Sequence, residues 1–159
     1  MADFTDIVTE FQTIATAQSG INSFKYGNAF ELNESRQKAK PLLMLQKQRR
    51  VSFQDFTKNY KDYALTFGIY DNYYESEKAT KTYAEKQKDL ELLIEQFIRE
   101  FRSRSTGDTA QSTSSKNWFM LNAVNMELIE VLGADKLVGI EASLSIRVFT
   151  DCSTGSFSY

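Results

Sequence analysis

The sequence predicts an α+β domain: a mainly antiparallel sheet with two helices packed on one face. Two amphipathic stretches repeat their apolar residues at steps of three and four, the helical period, whereas residues 60–70 and 138–148 alternate them at steps of two, the strand period. The length of 159 residues fits one domain, 1–159, which buries roughly 70% of the surface its unfolded chain exposes.

The first helix is expected over residues 4–18, where Phe4, Ile7, Val8, Phe11, Ile14 and Ala15 share a face; Asp3 suits the N-cap and Ser19-Gly20 the stop. Residues 20–40 carry no clean period and read as a long connection. Pro41 opens the apolar run Leu42–Leu45, a short buried strand. QKQRR (46–50) then reads as a turn, and Val51 and Phe53, with Phe56 as an extension, supply the return strand of a hairpin. Tyr63, Leu65, Phe67 and Ile69 alternate with Ala64, Thr66, Gly68 and Tyr70, so one face of that strand is buried, and the strand ends at Asp71-Asn72.

A second, longer helix is expected over 77–103, with Leu90, Leu93, Ile94, Phe97, Ile98 and Phe101 in one stripe. STGDTAQSTSS (105–115) is small and polar and predicts a flexible loop. Trp118–Leu121 and Met126–Val131 read as further strands, with a turn at Gly133-Ala134-Asp135. Val138, Ile140, Ala142, Leu144, Ile146 and Val148 then occupy every even position, which predicts that the even side chains face the helices while Glu141, Ser143, Ser145 and Arg147 face away. Residues 153–159 form an expected loose C-terminal tail.

The chemistry-bearing residues narrow the function classes. There is no histidine, which removes the commonest general base at neutral pH, the Ser-His and Cys-His dyads and every histidine metal site. The one cysteine, Cys152, excludes an intramolecular disulfide and a Cys-rich zinc site. No phosphate-binding glycine motif occurs, and Asp62, Asp71, Glu75 and Glu77 lack the spacing of a calcium loop. Carboxylate-only hydrolysis needs a facing acid pair, and the acidic residues, such as Glu85, Asp89, Glu91 and Glu95, fall on a helix face expected to meet solvent. The expectation is a protein with no catalytic residue, cofactor or metal that works through its surfaces.

Twelve Phe, eight Tyr and one Trp suit both a dense core and protein interfaces; Tyr70, Tyr73 and Tyr74, at a strand-to-helix junction, are expected as packing residues or as interface anchors. A net charge of −2 gives no global attraction to nucleic acid or anionic membranes, so any DNA contact must be local. Lys38, Lys40, Lys47, Arg49 and Arg50 concentrate positive charge at the expected hairpin; Arg49 and Arg50 are the candidate DNA-facing residues, against the plainer reading of a solvated turn. No apolar run approaches a membrane span and the N-terminal stretch lacks a secretory pattern, which leads to the expectation of folding in a reducing cytoplasm and of no membrane partner.

The N-terminal helix DFTDIVTEFQTI, the strand end LTFGIYDNY, the helix DLELLIEQFIREF and the closing strand LVGIEASLSIRVF resemble the tail-terminator and neck-protein group of tailed bacteriophages. The last three segments are most similar to small structural proteins of crAss-like phages that infect Bacteroidetes. The likeness spans about residues 3–152 and concerns fold and strand pattern, so it transfers no functional residue. It implies a tail-terminator-like fold and a virion protein, made in the host bacterial cytoplasm, that forms a ring of six or twelve copies in the neck or head-proximal tail. Neck, portal or tail proteins, and packaged DNA by non-specific contact, are the implied partners. A non-virion adaptor or assembly factor of similar fold is the alternative, and a carboxylate-dependent hydrolase the third class.

Overall fold

The computed structural model describes residues 4–28, 39–47, 49–52, 60–73, 81–104, 118–121, 124–131 and 137–149. Its elements run α1 (Phe4–Ala17), β1 (Ser23–Gly27), β2 (Leu42–Gln46), β3 (Arg50–Ser52), β4 (Tyr60–Asn72), α2 (Tyr83–Ser103), β5 (Trp118–Met120), β6 (Asn125–Val131) and β7 (Leu137–Phe149). Asp3, Phe53, Phe56, Tyr74, Glu75, Glu77, the turn at 133–135, the loop at 105–115 and the tail at 153–159 lie outside the described residues.

The sheet is built on its two 13-residue strands, β4 and β7, which pair antiparallel from Tyr60 opposite Phe149 to Asn72 opposite Leu137. The register puts Leu65, Phe67 and Ile69 of β4 on the same face as Leu144, Ala142 and Ile140 of β7, and all of them are buried. The expected inward-facing even positions of β7 are therefore correct. Both helices cover this face. Phe11 of α1 meets Phe67 at 5.1 Å, Phe97 at 5.0 Å and Phe101 at 4.7 Å between ring centroids, and Phe101 stacks on Trp118 at 4.5 Å. Such offset and edge-on geometries add to the burial of the rings themselves. The aromatic abundance of the sequence is thus in large part a core.

Three expectations need correction. Residues 20–40 are not wholly a connection, because Ser23–Gly27 form β1, which lies parallel to β2 as an added edge strand. The expected hairpin of Leu42–Leu45 with Val51 does not form, since β2 and β3 do not pair with each other. Both pair antiparallel with β4, β2 opposite Phe67–Tyr70 and β3 opposite Asp62–Ala64. From Leu45↔Phe67 to Arg50↔Ala64 the chain advances five residues against three on β4, so two extra residues lie between β2 and β3, a bulge within one interrupted strand. A backbone bond from Lys47 N–H to the Gly27 carbonyl (2.9 Å) fixes it.

The third correction is the start of α2, at Tyr83 rather than 77, with 77–80 outside the described residues. Thr82 is the N-cap: its hydroxyl accepts from Glu85 N–H (3.2 Å), and the Glu85 carboxylate accepts from Thr82 N–H (2.7 Å), a capping box that satisfies two first-turn donors. At the other end of α1, Gly20 adopts φ 95°, the left-handed conformation that ends a helix at little cost for glycine.

The far flank of the central pair repeats the bulge. β5 pairs with β7 at Met120↔Ile146 and β6 resumes at Asn125↔Ser143, again five residues against three. Both interruptions fall at the same level of the sheet, beside Ala64, Thr66, Ser143 and Ser145. One ion pair joins the two helices and another joins α2 to the sheet. Arg104, the C-cap of α2, donates to the nearly buried Glu10 of α1 at 2.8 Å, and Lys86 pairs with Asp71 at 2.6 Å.

Candidate functional site

The face of the sheet opposite the helices carries the polar residues that the alternation of β4 and β7 predicts there. At the level of the two bulges these residues are small: Ala64 and Thr66 on β4, Ser143 and Ser145 on β7, with the Thr66 and Ser143 hydroxyls 3.3 Å apart. Short side chains flanked by two bulged strands leave a shallow groove of about 750 Å³, bounded by Arg50 on one side and Asn125 on the other. It offers hydroxyl groups, an amide and the exposed Arg50, and Arg49 is also in its lining. Among the described residues its lining contains no carboxylate. The sequence held a signal for it, namely small polar residues on the outward rows of the two longest strands.

Both candidate DNA-facing arginines line the groove and are exposed, but their contacts differ. Arg50 pairs with Ala64, so it belongs to the groove face, and it is exposed. Arg49 sits in the bulge with its guanidinium carbon 3.8 Å from the centre of the Phe4 ring, and its Nη1 donates to the Tyr26 hydroxyl at 3.0 Å. That cation–π contact and hydrogen bond make Arg49 part of the packing around α1. Lys47 shares the bulge, Lys40 lies before β2, and Lys38 falls outside the described residues.

On either side of the groove the same face is closed by self-contained clusters. Tyr70 lies fully buried with Leu42 and Met44, its ring flat over Gly68 and Gly139, where a Cβ would come within 2.7 Å of the hydroxyl and 2.5 Å of Cδ1 respectively. Only glycine admits the ring so close to the backbone. The Tyr70 hydroxyl donates to Glu141 Oε1, and burial, reinforced by that neighbouring carboxylate, raises the phenol well above its ordinary pKa. At the other end Arg147 donates twice to the largely buried Asp62, at 2.7 and 2.9 Å, and lies over the Tyr60 ring at 4.0 Å. The bidentate bond to Asp62 raises the Arg147 pKa.

These contacts place the acidic residues singled out from sequence. Asp62 and Asp71 are held by Arg147 and Lys86, and among the described residues no group of three or more acidic, histidine or cysteine side chains could hold a metal ion. Tyr73 packs in the core against Tyr83 and donates to the Lys81 carbonyl at 3.0 Å. No described helix is long and apolar enough to cross a membrane.

A second feature lies at the sheet edge. Met126 and Leu128 of β6 pair with Ala142 and Ile140, so they belong to the helix-covered face, yet they stay 42% and 48% exposed. Sequence reading marked β6 as a strand but not as an uncovered one, because the position of α2 over the sheet is set by tertiary packing. Among the described residues, β6 pairs only with β7, and β1 only with β2. No family model and no curated protein matches the chain.

Proposed function

We propose that this chain is a structural virion protein that forms an oligomeric ring of six or twelve copies in the neck or head-proximal tail of a tailed phage, as a tail terminator or head–tail connector, with no catalytic role. The observation that carries the proposal is the uncovered apolar pair Met126 and Leu128 on an edge strand. Open edges present unpaired backbone groups, and exposed apolar side chains beside them mark contact surfaces. A ring needs two different patches on each subunit, and among the described residues the sheet ends in two different strands, β1 on one flank and β6 on the other. The resemblance of four segments to the tail-terminator and neck group supplies the virion setting.

Where such a ring encloses packaged DNA, the proposal gives the non-specific phosphate contact to Arg50, because Arg49 is engaged by Phe4 and Tyr26. The deciding experiment joins native mass measurement of the purified chain, alone and with other virion proteins, to cryo-electron microscopy of the particle. A closed ring of this chain at the neck or tail is the expected result. Its absence from the particle would put the non-virion adaptor ahead.

A further inference from the structure

Two cations reach the groove on the sheet face opposite the helices, and only one of them is engaged. Arg49 is held by Phe4 and Tyr26, whereas among the described residues no hydrogen bond, ion pair or ring contact holds the exposed guanidinium of Arg50. The register sets out its neighbours. Arg50, Ala64 and Ser145 form one row across the sheet, and Thr66, Ser143 and Asn125 form the next. The Thr66 and Ser143 hydroxyls meet at 3.3 Å, while the Ser145 hydroxyl and the exposed Asn125 amide have no side-chain hydrogen bond among the described residues. The groove thus presents one unpaired cation at one end and groups that both donate and accept along the rest. A carboxylate suits the first, and peptide N–H and C=O groups suit the second.

Its dimensions agree with that chemistry. Arg50 stands on β3 and Asn125 on β6, three strand spacings apart, which is about 14 Å. An extended chain covers that distance in about four residues. The volume of about 750 Å³ is also in the range of a ligand site.

Two observations favour a peptide over nucleic acid. Among the described residues no aromatic side chain lines the groove, so a base has nothing to stack on. Two rows beyond Arg50 the same face carries Glu141 and Glu127, directly opposite each other on β7 and β6. A duplex, with a phosphate charge every ~1.7 Å along its axis, would be repelled by both if it lay along the groove. A duplex passing outside meets Arg50 alone, whereas a single carboxylate seated on Arg50 lies at the corner farthest from Glu127.

We propose that the groove is a docking site for an extended acidic segment of a partner chain, laid across the strands with an Asp, Glu or C-terminal carboxylate on Arg50. Its peptide groups bond to the hydroxyls of Thr66, Ser143 and Ser145 and to the Asn125 amide. The site is complete within one copy of the chain, so it holds whether or not the copies close into a ring.

Fluorescence polarisation of the full chain with dye-labelled tetrapeptides tests the site, each peptide carrying one Asp among alanines and an amidated C-terminus. Saturable binding is expected for at least one position of the Asp, with the matching Asn peptide at least tenfold weaker, because the charge-assisted bond to the guanidinium is lost. Arg50→Gln should weaken the Asp peptide by a similar factor. Ser143→Tyr, which fills the groove from an exposed strand position, should abolish binding. Thermal midpoints of the variants separate lost binding from lost folding, and Arg50→Gln, at an exposed side chain without partners, keeps the test open if Ser143→Tyr does not fold. Equal binding of Asp and Asn peptides, or binding that Arg50→Gln leaves unchanged, would overturn the proposal. So would the absence of saturable binding by every Asp peptide, and a DNA duplex that then binds through Arg50 at physiological salt would assign the groove to nucleic acid instead.

Discussion

Phe97→Ala removes the ring at the centre of the contact between the two helices and the sheet. Phe97 is fully buried, with its centroid 5.0 Å from Phe11, 5.3 Å from Phe67 and 6.3 Å from Phe101, so truncation takes partners from both helices and from β4 at once. Burying a phenylalanine side chain and leaving a cavity in its place together amount to ~3–5 kcal/mol. For a domain of this size that corresponds to a fall in Tm of about 6–20 °C, at roughly 2–4 °C per kcal/mol. In urea, with an m-value of about 2 kcal/mol/M, the midpoint should drop by about 1.5–2.5 M. Leu92 on the same helix is 48% exposed, so Leu92→Ala should stay within about 0.5 kcal/mol of the wild type and controls for helix propensity. Equal midpoints for the two variants would refute the placement of the α2 stripe against the sheet.

Gly139→Ala should cost about 1–3 kcal/mol, because its Cβ would meet Tyr70 Cδ1 at 2.5 Å and the Ile69 carbonyl at 3.2 Å. Combined with Tyr70→Ala the penalty should be clearly less than additive in urea unfolding, and a fully additive pair would show that the ring does not rest there. Thr82→Ala should cost ~1 kcal/mol by loss of the N-cap and speed hydrogen exchange in the first turn of α2. The Thr82 backbone N–H and hydroxyl hold the Glu85 carboxyl below its ordinary pKa. A depressed folded-state value contributes stability that is present above the unfolded pKa and is lost as pH falls through the folded one. The gap in urea midpoint between wild type and Thr82→Ala should therefore narrow below about pH 4, where free glutamate also protonates. A gap that stays unchanged in acid would show that the Glu85 carboxylate plays no part in the cap.

What the sequence made legible followed from periodicity. Ile7, Phe11 and Ile14 mark α1, Leu90 to Phe101 mark α2, and the even positions of β7 fix which face is buried, since long repeats admit a single register. β1 escaped because five residues with only Phe24 and Tyr26 apolar give too short an alternation beside Gly20 and Gly27. The false hairpin came from reading polarity as a turn. A tight hairpin needs residues that accept positive φ, and QKQRR has no Gly, Asn or Asp, so the absence of a turn was itself in the sequence. The Thr82-x-x-Glu85 capping signature was equally present and marks the α2 start better than the polar run before it. The groove depends on where two bulges fall and on register across neighbouring strands, which is long-range information no local pattern carries.

The pairing of β4 with β7 has a consequence for how the chain matures. Its closest partners in sequence, Asn72 and Leu137, are 65 residues apart (137 − 72), and its most distant, Tyr60 and Phe149, are 89 apart (149 − 60). The centre of the sheet thus joins the middle of the chain to a segment made much later, and loops of that length close slowly. During synthesis at about 5–20 residues per second, β4, with β2 and β3 already beside it, waits several seconds for the strand on its other side. α1 and α2 likewise have only half a sheet to cover until β7 emerges. Residues 137–149 act as the closing event of folding: β1, β2, β3 and β4 can pair before it, whereas β5 and β6 join the sheet through β7, so the β6 flank exists only on chains whose synthesis has passed Phe149.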